Sequence, residues 1–138
     1  MNIKFYHRWE AQPENCPKSI NDIVGKTPVS ISVEEKYGED IVMVFDDGTA
    51  CKFYHEQDCC ETVSIEDING DWSDLIGTQL LVAEEREGDL DPLNEYDESY
   101  TWTFYTFRSI KGSVDVRWYG ESNGYYSEGV DFAGGVVE

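Results

Sequence analysis

Near the middle of the chain lies the stretch Tyr54-His55-Glu56-Gln57-Asp58-Cys59-Cys60, which places one imidazole and two thiols within six positions. It stands where one strand-like run, Ala50 to Tyr54 or His55, ends and another, Thr62 to Ile68, begins. Zinc accepts nitrogen and sulfur donors in a tetrahedral arrangement, so a single ion can hold such a junction together. We therefore predict a small β domain organised around residues 51–77.

Four residues are the predicted ligands of one structural zinc ion: His55, Cys59, Cys60 and Cys51. Cys51 is included because it lies on the same face of the predicted strand as His55. Cys59 and Cys60 are neighbours that point in different directions, so we expect one to bind the ion and the other to be buried. Further ligands could come from Asp58, Glu61, Cys16 or His7. The alternative is that the cysteines are small buried hydrophobic residues and that His55 only closes a strand.

The composition of the chain is strongly acidic, with 29 acidic and 10 basic side chains among 138 residues and a formal net charge of −19. This density creates a negative potential of several kT around the protein, which disfavours direct binding of nucleic acid. It favours a Lys/Arg-rich protein surface that normally holds nucleic acid. The alternative is a solvated acidic face that only keeps the protein monomeric.

The acidic side chains are densest in residues 84–98, which we interpret as an exposed loop because like charges repel and only Arg86 is basic there. The predicted partner-binding residues are its eight carboxylates: Glu84, Glu85, Glu87, Asp89, Asp91, Glu95, Asp97 and Glu98. Glu84 and Glu85 are the obvious pair for acid–base catalysis. Neighbouring strand residues face opposite sides of a sheet, however, so we do not expect an enzyme.

The length predicts a single domain spanning residues 1–138. Hydrophobic residues at 40% and aromatic residues at 14% argue against disorder. The N-terminus has no basic segment followed by an apolar run, and no apolar stretch approaches about 18 residues. We therefore expect a cytosolic protein with no membrane partner, whose four cysteines are thiols or metal ligands rather than two disulfides.

The hydrophobic pattern predicts a mainly β fold of the α+β class, an antiparallel, curled sheet of seven or eight short strands with one or two short helices. Residues 1–28 are expected to be irregular apart from a helical turn at 19–25, and residues 29–132 to form the β core. A second helical turn is expected at 71–77, where Asp71 caps the start and Gly77 closes the end. The predicted strands are 29–33 (ended by Gly38), 41–45, 50–55, 62–68, 79–84, 100–107, 114–118 and 125–132.

Several motifs together resemble a family of unknown function that is common among phage and prophage genes. They are YHEQDCC at 54–60, Ala83-Glu84-Glu85, Thr101-Trp102-Thr103-Phe104-Tyr105 and WYGESNGYYSE at 118–128. This resemblance covers about residues 41–132 and implies a family rather than an activity. As a small acidic protein, the chain is also similar in character to the type II-A anti-CRISPR inhibitors.

The second resemblance implies a zinc-containing protein of the host bacterial cytoplasm that binds the recognition lobe of a CRISPR RNA-guided nuclease. Such a protein would block the loading of target DNA or a conformational change of the nuclease. The alternative class is a small metal-dependent hydrolase or a counter-defence protein that binds a nucleotide signal. A third alternative is a structural or assembly protein of the virion.

Overall fold

The structure, a computed structural model, describes residues 2–34 and 39–138. The strands in these ranges are β1 (Ile3–Tyr6), β2 (Pro28–Glu34), β3 (Asp40–Phe45), β4 (Thr49–Tyr54), β5 (Thr62–Asn69), β6 (Val82–Gly88), β7 (Ser99–Arg108), β8 (Ser113–Ser122) and β9 (Asp131–Val137). Two 3-10 helices, Ile20–Ile23 and Trp72–Asp74, lie within the two predicted helical turns. The predicted strand end at Gly38 lies outside the described residues.

The strands form two antiparallel sheets, ordered β1-β9-β4-β3-β2 and β5-β8-β7-β6. The prediction of a mainly β, antiparallel fold is confirmed, but the single curled sheet of seven or eight strands is wrong, since the described residues contain nine strands in two sheets. The chain changes sheets after the 54–60 stretch, because β5 pairs with β8 rather than with β4. This places the stretch at the crossing between the two sheets.

The core lies between the inner faces of the two sheets. Phe53 of β4 packs edge-on against Tyr105 and Phe107 of β7, with ring centroids 5.0 and 5.4 Å apart. Other buried side chains of this core come from both sheets: Ile41, Met43, Phe45 and Cys51 from the first, and Val114, Val116 and Trp118 from the second. Burying such side chains stabilises the fold by about 1.5–3 kcal/mol each for the larger ones.

The N-terminal segment is more ordered than predicted. Residues 1–28 were expected to be irregular apart from one turn, but β1 pairs with β9 in the register Ile3 to Val137 and Tyr6 to Gly134. After β1 the chain returns across β9, where Cys16 and Pro17 are buried. The backbone there comes so close that a Cβ atom on Gly134 would lie 1.8 Å from the Pro17 carbonyl oxygen. A glycine is therefore required at this contact.

The acidic loop begins later than predicted, because residues 84–88 belong to β6. This strand pairs with β7, with Glu84 opposite Thr106 and Glu85 opposite Tyr105. Being at the edge of its sheet, β6 can keep its carboxylates in water. The irregular acidic segment is therefore residues 89–98, hereafter the acidic loop. The last strand also lies further along the chain than the predicted range 125–132, since β9 runs from Asp131 to Val137.

Candidate functional site

The predicted zinc ligand His55 lies directly after β4, and its imidazole is engaged on both sides. Its Nε2 atom lies 2.8 Å from Oε2 of Glu61, and its Nδ1 atom lies 2.8 Å from the carbonyl oxygen of Gly129. The His55 and Glu61 side chains are 4% and 0% exposed. The pair therefore connects the end of the first sheet to the start of the second.

Glu61 is the centre of the hydrogen bonds that shape the 56–61 loop. Its carboxylate accepts from the backbone N–H groups of Asp58 and Cys59, at 3.1 and 2.9 Å, and from the Gln57 amide at 3.1 Å. Burial alone would raise the pKa of Glu61, but the bonds from the Cys59 N–H, the His55 ring and the Asp58 N–H outweigh it and lower the pKa to about 2. The carboxylate is thus ionised at neutral pH.

The structure does not bring the four predicted zinc ligands together. Cys51 is completely buried in the core, where burial raises the pKa of its thiol well above the ordinary value. Cys59 and Cys60 are both exposed, although one was expected to be buried, and they are joined to each other as a disulfide rather than being free thiols.

Within residues 2–34 and 39–138, no three His, Cys, Asp or Glu side chains form a group that could hold a metal ion. His55 could bind zinc only by giving up a hydrogen-bond partner, and Cys51 is completely buried in the core. The residues in this arrangement do not fit a zinc site. Structural zinc stays a prediction, and elemental analysis of protein purified in reducing buffer tests it, with about one zinc ion per chain as the predicted content.

The eight predicted partner-binding carboxylates are distributed along β6 and the acidic loop and are together called the acidic surface. Seven of them are exposed, and Asp97 is half-buried. Glu84 and Glu85 lie on opposite faces of β6, since successive strand residues alternate, and Glu85 accepts a hydrogen bond from the Tyr105 hydroxyl at 3.2 Å. The two carboxylates therefore cannot converge on one reacting bond.

The acidic loop is held against the second sheet by two aromatic side chains. Trp102 of β7 and Tyr119 of β8 are register partners whose rings meet edge to face, with centroids 4.8 Å apart. The indole N–H of Trp102 donates to the Asp91 carbonyl at 3.1 Å. The Tyr119 hydroxyl donates to the Asp97 carboxylate and accepts from the Leu93 N–H at 3.3 Å. These bonds fix the loop at its start, middle and end.

Tyr119 keeps its proton over the whole physiological range. Burial and the hydrogen bond to Asp97 raise the pKa of its phenol to about 12. Within the loop, the Asp97 N–H donates to the Asn94 carbonyl and the Tyr96 N–H donates to the Asn94 side chain, both at 3.0 Å. The acidic loop is therefore held in a defined conformation by hydrogen bonds, rather than being an irregular coil extended by charge repulsion.

Three apolar side chains stand among the carboxylates of the loop. Leu90, Leu93 and Tyr96 are 46, 59 and 81% exposed. Sequence reasoning missed them, and it also missed Trp102 and Tyr119 as the side chains that anchor the loop. The alternation of side chains along a strand could have identified these two anchors. Tyr105 and Trp118 face the core, so Trp102 and Tyr119 must lie on the opposite face of the sheet.

A family model for a domain of unknown function (DUF7448) matches residues 21–132. The chain belongs to this family. The DUF7448 match includes the His55–Glu61 pair, the acidic loop and both of its aromatic anchors, and it leaves β1 outside. No curated protein and no solved structure matches the chain. In the part of this DUF7448 protein that the structure describes, no helix is long and apolar enough to cross a membrane.

Proposed function

We propose that this DUF7448 protein is a non-enzymatic, phage-derived inhibitor that binds a type II CRISPR RNA-guided nuclease in the cytoplasm of the host bacterium. Its acidic surface would occupy a Lys/Arg-rich surface of the nuclease and block target-DNA loading or the conformational change that follows. The observation that supports this best is the acidic loop, whose backbone and Asp97 carboxylate are held in place by Trp102 and Tyr119.

A fixed acidic loop suits a competitor of nucleic acid. Ordering a flexible segment on binding costs free energy, and a segment that is already ordered avoids most of that cost. The net charge of −19 attracts a cationic groove over a distance comparable to the Debye length, about 8 Å at physiological ionic strength. The negative charge thus draws the protein toward the cationic groove, and the ordered loop provides the surface that contacts it.

The exposed apolar side chains of the loop favour a protein partner over a free cation. Leu93 and Tyr96 lie between the carboxylates Asp91 and Glu98. Aromatic side chains at the centre of an interface, surrounded by polar groups that exclude water, contribute most of the binding free energy. Tyr96 has this position within the acidic surface and is therefore the proposed anchor.

A charge-neutralising variant tests the proposal. In D89N/D91N/E95Q/E98Q, four exposed loop carboxylates lose their charge while Asp97 keeps its bond to Tyr119. Its matched control, E14Q/E34Q/D46N/E138Q, removes the same amount of charge from exposed positions outside the loop. We expect the loop variant to lose at least about tenfold in inhibition of guided DNA cleavage, and the control to stay within about threefold.

Equal inhibition by the loop variant and the wild type would contradict the proposal. A second measurement is the affinity for the nuclease as a function of salt. It should weaken steeply between about 50 and about 500 mM, because exposed charges are screened. An affinity unchanged over that range would also count against an acidic contact. The Y96A variant should weaken binding by at least about tenfold at every salt concentration.

A further inference from the structure

A separate cavity lies between the N-terminal segment and the first sheet, and it shares no residue with the acidic loop. Its volume is about 370 Å³, within the range of about 300–1,000 Å³ that is typical of small-molecule sites. One wall is the turn after β1, which carries His7, Arg8 and Trp9. The opposite wall is the end of β4 and the start of β9, including Tyr54 and Phe132.

The turn after β1 presents a flat aromatic surface. The Glu10 N–H donates to the His7 carbonyl at 2.9 Å, and the His7 N–H donates to the Glu10 carboxylate at 3.1 Å. The His7 and Trp9 rings stack within this turn, with centroids 4.5 Å apart and planes 1° apart. Trp9 is nevertheless 72% exposed. A planar ring can stack on an indole that is held in this way.

Two cations in this cavity are not neutralised by the protein. Arg8 and Lys18 form no ion pair with another described residue, although the chain has 29 acidic side chains to 10 basic ones. Lys26 and Arg117, in contrast, are each paired with carboxylates, Lys26 with Asp47 and Arg117 with Glu66 and Asp67. Guanidinium and ammonium groups left without carboxylate partners favour an anionic group such as a phosphate.

The cavity is also lined by hydrogen-bond acceptors, so a matching ligand must carry hydrogen-bond donors. Glu56 and Asp131 line it, and one oxygen of Asp131 accepts the Glu56 N–H at 2.9 Å. Burial, followed by the charges of Asp131 and Glu56, raises the pKa of Tyr54, so its hydroxyl remains a donor. A matching ligand therefore combines a planar ring, N–H donors and an anionic group. Nucleobases with a phosphate provide all three.

We propose that this cavity binds a small nucleoside phosphate, with its phosphate at Arg8 and Lys18, its base against Trp9 and the N–H groups of the base toward Glu56 and Asp131. This activity is independent of nuclease inhibition, because the cavity and the acidic loop are built from different residues.

Calorimetric titration of the full-length protein with AMP, GMP, CMP and UMP tests the proposal, with the free nucleosides and inorganic phosphate as further arms. We expect at least one monophosphate to bind at least about tenfold more tightly than its nucleoside or phosphate alone. Binding should quench tryptophan fluorescence, because Trp9 is far more exposed than the buried Trp102 and Trp118. A linear dinucleotide is titrated as well, to distinguish binding of a free nucleotide from binding of the end of an oligonucleotide. Saturable binding of a monophosphate or of the dinucleotide supports the site.

Three variants test which residues contact the ligand. R8Q/K18Q should weaken binding of the monophosphate by at least about tenfold and leave binding of the nucleoside unchanged. W9L should weaken both ligands and abolish the quenching. R108Q/K111Q is the matched control, since it also removes two exposed cations, at the end of β7 and in the turn after it, and this variant should bind as the wild type does. Circular dichroism checks that each variant is folded.

Three results would overturn the assignment. The first is the absence of saturable binding of every monophosphate and of the dinucleotide up to about 5 mM. The second is binding by R8Q/K18Q that equals that of the wild type. The third is an equal loss of binding in R108Q/K111Q, which would mean that the anion is attracted by any cation of the protein rather than by the cavity.

Discussion

His55 and Glu61 form a buried pair in which Nε2 of the imidazole lies 2.8 Å from a carboxylate oxygen. The other ring nitrogen lies 2.8 Å from the carbonyl oxygen of Gly129. Both neighbours of the ring are acceptors, so both bonds form together only when both nitrogens carry protons. The arrangement is a hydrogen-bonded bridge between the end of β4, the 56–61 loop and the segment before β9.

Removing one partner of this bridge should be strongly destabilising, because it leaves the other buried without its hydrogen-bond partner. We expect E61Q and H55Q each to lower the free energy of unfolding by about 3 kcal/mol, and the double variant to lose much less than the sum. Urea denaturation measures these differences. D58N is the control, since Asp58 is exposed in the same loop and its loss should cost no more than about 0.5 kcal/mol. A loss below about 1 kcal/mol in E61Q would contradict the role of the pair.

The low pKa of Glu61 predicts a specific acid dependence of stability. The pKa falls from an ordinary value of 4.5 to about 2 in the folded protein. A group with a lowered pKa contributes stability that is fully present above its unfolded value and is lost as the pH falls through its folded value. The wild type should therefore lose this contribution between about pH 4.5 and about pH 2. Measured against the wild type, E61Q should show a smaller slope of unfolding free energy with pH in that window, and parallel curves would disprove the assignment.

The anchoring of the acidic loop predicts that the Tyr119 hydroxyl controls its mobility. Y119F removes the group that donates to Asp97 and accepts from the Leu93 N–H. We expect faster amide hydrogen exchange at Leu93 and a loss of about 0.5–1.5 kcal/mol in unfolding free energy. Y125F is the control, because Tyr125 is 84% exposed and lies outside the loop. Unchanged exchange at Leu93 would show that the loop is held by other contacts.

Local patterns predicted most of the strands but not how they assemble. The alternation of Val29, Ile31 and Val33 and the apolar run at 41–45 locate β2 and β3 because one or both faces of each strand are covered. The division into two sheets depends on β5 pairing with β8, across the intervening residues 70–112. Nothing in residues 62–69 themselves distinguishes that partner from β4. β1 was missed for the same reason, because Ile3–Tyr6 is a strand only through its pairing with β9.

The sequence located the centre of the 54–60 stretch but did not predict the hydrogen bonds that surround it in the structure. His55 stands out as one of two histidines, and the neighbouring cysteines suggested metal coordination. The structure instead turns the N–H groups of Asp58 and Cys59 toward Glu61, which makes that carboxylate the natural neighbour of the imidazole. Nothing in the sequence around Glu61 distinguishes it as buried among the 29 acidic residues. The acidic surface was easier to predict, because repulsion between like charges alone keeps such residues in water.

The close approach of the Pro17 carbonyl to Gly134 gives a prediction that does not depend on function. Gly134 of β9 pairs with Cys51 of β4 and Tyr6 of β1, and a Cβ atom there would lie 1.8 Å from the Pro17 carbonyl oxygen and 2.9 Å from the Cys16 sulfur. Because a carbonyl oxygen of a packed segment cannot move aside as a flexible side chain can, G134A should lower the unfolding free energy by about 1–3 kcal/mol. G129A is the matched control, since its added Cβ would meet nothing nearer than the Ser127 hydroxyl at 3.7 Å. Equal stability of G134A and G129A in urea denaturation would mean that the segment around Pro17 does not pack on β9 in solution.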